Sequence, residues 1–131
     1  MQNCAVRLVL KRKIPFRASL NRVFLELHWL QVRDRIVYKI LLTVHNCLHD
    51  KAPNELISLL KYSESERTMN LQESKVNNKY GDRAFSHCAP KLWNLLPKYI
   101  RDQHEMSAYK KHLKSFLLIK GDEFHTMMNM R

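Results

Sequence analysis

Glycine occurs only twice and proline four times in 131 residues. A many-stranded fold needs turn formers at each reversal, so this scarcity argues against a β-sandwich or barrel and favours helices with short connections. Cysteine occurs three times, at Cys4, Cys47 and Cys88, with no CxxC spacing. An odd, scattered set argues against a disulfide scaffold and a zinc knuckle, and points to reduced thiols in an intracellular setting, cytoplasmic or nuclear. No apolar run approaches the roughly 20 residues of a membrane span. Residues 1–10 are broken by Arg7 and followed by Lys11, Arg12 and Lys13, which is not the pattern of a signal peptide. Acidic side chains number twelve and offer no aspartate pair suited to two metal ions. There is no P-loop and no GxGxxG. No catalytic residue, cofactor or metal site is therefore expected.

Positive charge is abundant. The net charge is +11, and it is uneven. Residues 1–35 hold eight basic against two acidic side chains, residues 36–73 hold four against five, and residues 74–131 hold eleven against five. Two basic ends around a near-neutral middle fit a polyanion partner, RNA or DNA. The alternative is a solvated surface that only keeps the chain soluble. Arg7, Lys11, Arg12, Lys13, Arg17 and Arg22 are candidates for one phosphate-tracking groove, and Lys110, Lys111 and Lys114 for a second set; such contacts carry salt dependence without sequence preference.

The hydrophobic pattern predicts an all-α fold, a small irregular helical bundle with one long surface loop. Residues 4–10 read as the last turns of a helix, ended by the basic cluster and Pro15. Ser19 is placed to cap a helix over 20–27 whose face is Leu20, Val23, Phe24 and Leu27. The clearest helix spans 32–50. Ile36, Ile40, Val44 and Leu48 recur at i+4, flanked by Val37 and Leu41, over an arc of about 140°. Arg35, Lys39, Thr43 and Asn46 form its polar strip. A helix this apolar calls for cover on most sides, which suggests a piece of something larger. Asn54 is placed to cap a short helix over 55–61 with Leu56, Leu59 and Leu60 facing in. Residues 63–79 lack a period and read as the long loop, with an extended piece around 71–76.

The stretch 80–101 packs turn formers and large apolar residues densely. Asp82 is placed to cap residues 83–89, and Pro90 suits the first position of a second helix over 90–96, ended by Pro97. Ser107 is placed to cap a helix over 108–119 with Tyr109, Leu113, Phe116 and Leu117 on one face. Gly121 ends it, and residues 122–131 are expected to fray. The expected core includes Trp29, Ile36, Ile40, Val44, Leu48, Phe85, Leu92, Trp93, Leu113 and Phe116. Trp29 and Trp93 are also candidates for stacking on bases, although core packing is the commoner fate of a leucine-flanked tryptophan such as Trp93. His45 and His49 sit at metal-ligand spacing, but Cys47 points away from them and no acidic partner follows, so they read as border histidines. His87 and Cys88 are sequence neighbours that point in different directions, which is not a catalytic dyad.

Leu27-His28-Trp29-Leu30, Val32, Arg35-Ile36 and Tyr38 to Leu42 resemble a run near the C-terminus of non-LTR (LINE-type, jockey-like) retrotransposon reverse transcriptases. Leu48-His49, Ala52-Pro53, Tyr80 to Ser86, Ala89-Pro90, Leu92-Trp93-Asn94, Leu96-Pro97, Ile100-Arg101 and Lys110 to Leu117 follow in the same order. The match covers about 25–120, so the chain divides into a truncated helix and basic linker (1–18), the helical module (19–120) and a frayed tail (121–131). Gln31 stands where the family has proline, Asp50 where it has glycine, and Cys88 where it has alanine. The resemblance implies a tail fragment of an RNA-directed DNA polymerase, without that enzyme's catalytic aspartates and non-catalytic alone. It implies nucleic acid and the missing polymerase domain as partners. A packing module that docks on that domain and an inert transposon relic remain the competing readings.

Overall fold

The structure, a computed structural model, describes residues 2–11, 20–63, 70–75, 77–78 and 80–129. Among the described residues seven α-helices run in order: α1 Gln2–Leu10, α2 Asn21–Glu26, α3 Val32–Leu48, α4 Asn54–Ile57, α5 Phe85–Leu95, α6 Lys98–Arg101 and α7 Met106–Asn129. A 3₁₀ turn, Gly81–Arg83, precedes α5. The described residues hold no strand, only an isolated antiparallel bridge between Tyr62 and Leu71. The fold is an all-α bundle. Helices α3, α5 and α7 pack on one another around a core that includes Leu41, Val44, Leu92, Trp93 and Leu113. Val6, Leu20 and Phe24 form a second cluster between α1 and α2, with Trp29 packed against it. Ser19, proposed as the cap of α2, lies outside the described residues.

The long helix α3 is rotated from its expected setting. Val37, Leu41, Val44 and His45 are buried, whereas Ile36 is 57% exposed. Ile40 and Leu48 are half-buried at the edge of the core. At about 100° per residue, Ile36 lies more than a quarter turn from the buried line, so counting it as core is corrected. The reason is Tyr109, which stacks on His45 and donates its hydroxyl to the Leu41 carbonyl at 3.1 Å. That contact draws the 41–45 side inward and gives a polar residue a core position.

Proline and glycine end fewer helices than expected. One helix, α5, runs through Pro90 where two were expected. Pro90 forfeits one backbone bond and strains the preceding turn, at about 3 kcal/mol. Burial of Ala89, Leu92, Trp93 and Leu96, an i, i+3, i+4, i+7 face, opposes that cost. The helix starts after Ala84, so Asp82 lies in the 3₁₀ turn and not at its cap. Pro97 does break the chain and then precedes α6, which places Ile100 in the core. α4 is one turn long, starts after Pro53, contains Asn54, and leaves Leu59 exposed.

The expected stop at Gly121 is corrected as well, and so is the expected fraying over residues 122–129; residues 130–131 lie outside the described residues. α7 begins at Met106, so Ser107 is inside it, and it continues to Asn129. Its buried line extends from Tyr109, Leu113, Phe116 and Leu117 through Gly121 to Phe124. Gly121 is there because Asp34 is close. A Cβ at residue 121 would meet Asp34 Oδ1 at 2.9 Å. Asp34 is buried in the first turn of α3, where the helix dipole favours a carboxylate, and His125 donates to it at 2.8 Å. Arg33 pairs with Asp122 beside them.

Two helix ends share one device. Trp29 N–H bonds to the Phe24 carbonyl and His28 N–H to the Leu25 carbonyl, with His28 left-handed at φ 52°. Lys51 N–H bonds to the Asn46 carbonyl, with Asp50 left-handed at φ 54°. Both are helix stops whose left-handed residue is usually glycine. Asp50→Gly should therefore raise stability by about 0.5–1 kcal/mol, read as a higher urea midpoint at unchanged slope.

Candidate nucleic-acid interface

A cleft of about 360 Å³ opens between the turn after α2, the first half of α3 and the middle of α7. Trp29 and Tyr38, both half-buried, and the exposed His28 supply its aromatic lining. Arg35 and Lys39 from α3 and Lys114 from α7 supply three cations, all exposed. Each position follows from its helix. Arg35 and Lys39 are one turn apart on the polar strip of α3, and Lys114 lies about a quarter turn from the centre of α7's buried line, on the side that borders the cleft. The helix stop at His28 fixes Trp29, and the Arg35 guanidinium donates from Nε to the Leu30 carbonyl at 3.1 Å. Burial pushes the Tyr38 hydroxyl above its ordinary pKa, so it stays protonated at neutral pH and can donate a hydrogen bond.

Lys110 and Lys111, one turn before Lys114, are exposed too, so the second expected basic set is one continuous surface joined to the cleft. The first set is not assembled in the same way. Arg12, Lys13 and Arg17 lie outside the described residues, and the cleft lining includes none of Arg7 on α1, Lys11 at its end or Arg22 on α2. Arg35 and Lys39 are the residues sequence reasoning assigned to solvent alone. Their signal was present, as two cations one turn apart on α3 with Trp29 just upstream.

A smaller cleft of about 190 Å³ lies at the other end of α3, lined by His49, Tyr62, Trp93, Arg101 and His104. Its one arginine donates to the Asn70 carboxamide oxygen at 2.7 Å, which ties the loop to α6. That role is structural. His45 behind it is fully buried and stacked between His49 and Tyr109, each with ring centroids 4.1 Å away. Its Nε2 carries the proton, because it faces the Gln103 carbonyl at 2.8 Å. The border position expected for His45 is corrected to a core one. Among the described residues, no three His, Cys, Asp or Glu side chains converge as metal ligands.

Burial is the main force holding His45 below the ordinary histidine pKa; the Gln103 carbonyl opposes it, and His49, Lys51 and His104 add to it. The unfolded chain takes up a proton below about pH 6.5, the folded chain only at lower pH. The stabilisation is therefore complete above about 6.5 and is lost as pH falls through the folded-state value. Melting temperature should drop between pH 7.5 and 5.5, and His45→Phe should drop less over the same range.

His87 Nδ1 donates to the Ser74 carbonyl at 2.7 Å, and burial raises the pKa of the Cys88 thiol. A reactive cysteine needs the opposite shift. All three cysteines are free thiols. No helix among the described residues is long and apolar enough to cross a membrane. No protein-family model, curated protein or solved structure matches the chain.

Proposed function

We propose that the chain is a helical C-terminal module of a LINE-type reverse transcriptase, non-catalytic alone, that contributes nucleic-acid backbone binding to its parent enzyme. The observation that carries the binding role is the convergence of Arg35, Lys39 and Lys114 on one cleft, continued by Lys110 and Lys111 along α7. Their chemistry suits phosphates, and five neighbouring cations give the multiple contacts that make such binding salt-dependent. The ancestry rests on the ordered motif series. Asp50 adds support, because the family's glycine at that place suits the left-handed backbone found there.

The test is a salt titration of RNA and DNA binding by fluorescence anisotropy. Binding should be tightest near ~50 mM salt and weaken steeply with added salt. Reversing Lys110, Lys111 and Lys114 to glutamate should lower the salt slope by about 2–3 and cost about 100-fold or more in affinity, with the helical signal unchanged. No detectable binding at ~50 mM salt would rule the reading out.

A second reading has its own observation. Val32 and Ile36, 58% and 57% exposed, lie one turn apart on α3 and form an apolar strip open to solvent. In the parent protein that strip would dock on the polymerase domain. Val32→Ser with Ile36→Ser would then abolish association with the polymerase portion and leave RNA affinity unchanged.

A further inference from the structure

We infer that the basic cleft takes an unpaired nucleotide, so that the chain prefers single-stranded RNA or DNA to a duplex. The inference rests on the nucleic-acid reading above and deepens it. Phosphate binding alone needs only a charged surface. Here the charge surrounds a recess, and the recess is lined by aromatic rings. Its volume, about 360 Å³, falls in the range of small-ligand pockets, about 300–1,000 Å³. In a duplex the base faces are stacked on their neighbours and unavailable to a side chain. An unpaired base offers a face to Trp29 or Tyr38, and its flanking phosphates meet Arg35, Lys39 and Lys114.

The recess is built in advance of any ligand. The two backbone bonds of the α2 stop hold Trp29, from Trp29 N–H to Phe24 and from His28 N–H to Leu25. Val6, Leu20 and Phe24 pack behind the indole. The Arg35 side chain is anchored to the Leu30 carbonyl. Aromatic surface held in place loses little freedom on binding, which favours stacking over induced rearrangement. Stacking on a ring face and contact with phosphates are both indifferent to base identity, so the preference is for an unpaired strand and not for a sequence.

The full chain is titrated with short oligouridylate, oligothymidylate and an RNA duplex of the same length, following anisotropy and indole emission. Both single strands should bind more tightly than the duplex and quench the emission of half-buried Trp29, while buried Trp93 contributes a constant background. Trp29→Leu should weaken single-strand binding by about 5- to 150-fold, with duplex affinity held within about twofold. Trp29→Phe should recover part of the loss, which a packing defect alone would not predict for single strands only. Equal affinity for strand and duplex, or unchanged emission at saturating single strand, overturns the inference. In those two cases the salt-dependent loss on lysine reversal still stands, and backbone binding survives. Displacement of the strand by polyglutamate at equal charge concentration also overturns it, in favour of an acidic-peptide site. Absence of any binding at ~50 mM salt removes both readings.

Discussion

Phe124→Ala should destabilise the protein by about 3–5 kcal/mol in chemical denaturation. Phe124 is fully buried and meets Phe116 edge to face, with centroids 5.7 Å apart. Truncation removes the transfer energy of the ring and leaves a cavity between α7 and its neighbours. The loss is a large fraction of what a domain of this size holds, about 5–15 kcal/mol. A frayed tail would give a different result, since substitutions in a solvated segment stay within about 0.5 kcal/mol. Nearby, Asp34 and His125 tie the same end of α7 to the first turn of α3. The turn of α7 that carries Phe124 and His125 therefore belongs to the cooperative unit, and a truncation at residue 120 should melt well below the full chain.

Asn94→Leu should cost about 2–6 kcal/mol, although it places an apolar residue beside an apolar core. Leu71 is 2% exposed, and Asn94 satisfies both of its backbone groups. The Leu71 N–H donates to the Asn94 side-chain oxygen at 2.8 Å, and Asn94 Nδ2 donates to the Leu71 carbonyl at 2.9 Å. The side chain stands in for a neighbouring strand. Without it, a buried donor and a buried acceptor are left unmet, at about 1–3 kcal/mol each. Asn94→Asp should fall between, because it keeps the acceptor, loses the donor and sits beside Glu73, which Asn94 also bonds at 2.9 Å. Urea midpoints of the three proteins in that order would establish the clamp.

The residues behind these two effects show what the sequence discloses and what it hides. Periodicity located α1, α2, α3 and α7, and the faces of α2, α5 and the first half of α7, because those faces bury apolar side chains at helical spacing. The same method placed Ile36 inside. The Tyr109 hydroxyl and the His45 ring set the rotation of α3 through a contact 68 residues apart along the chain, which no local window contains. Pro90 and Gly121 read as breaks because the local cost is visible in the sequence, while the packing that offsets it is tertiary. Leu71 looked like a loop residue because its backbone partner is a side chain 23 residues on. Of the candidate site, Lys110, Lys111 and Lys114 were legible as a basic run. Arg35 and Lys39 were not assigned, since their pairing with Lys114 and Trp29 depends on how α3 packs against α7.

The bridge between Tyr62 and Leu71 has a practical consequence. Ser63 N–H reaches the Asn70 carbonyl at 2.9 Å and Gln72 N–H reaches the Lys61 carbonyl at 2.7 Å, so the chain leaves and returns at one doorway. Asn94 bolts that doorway from the helical side. Closure of the segment between is therefore fixed by residues outside it. For a flexible loop pinned at both ends, added length costs only a slow logarithmic term, about 0.6 kcal/mol for each doubling. The doorway is a natural port for splicing in a reporter or a tether, on chain distant in sequence from every residue of the basic cleft.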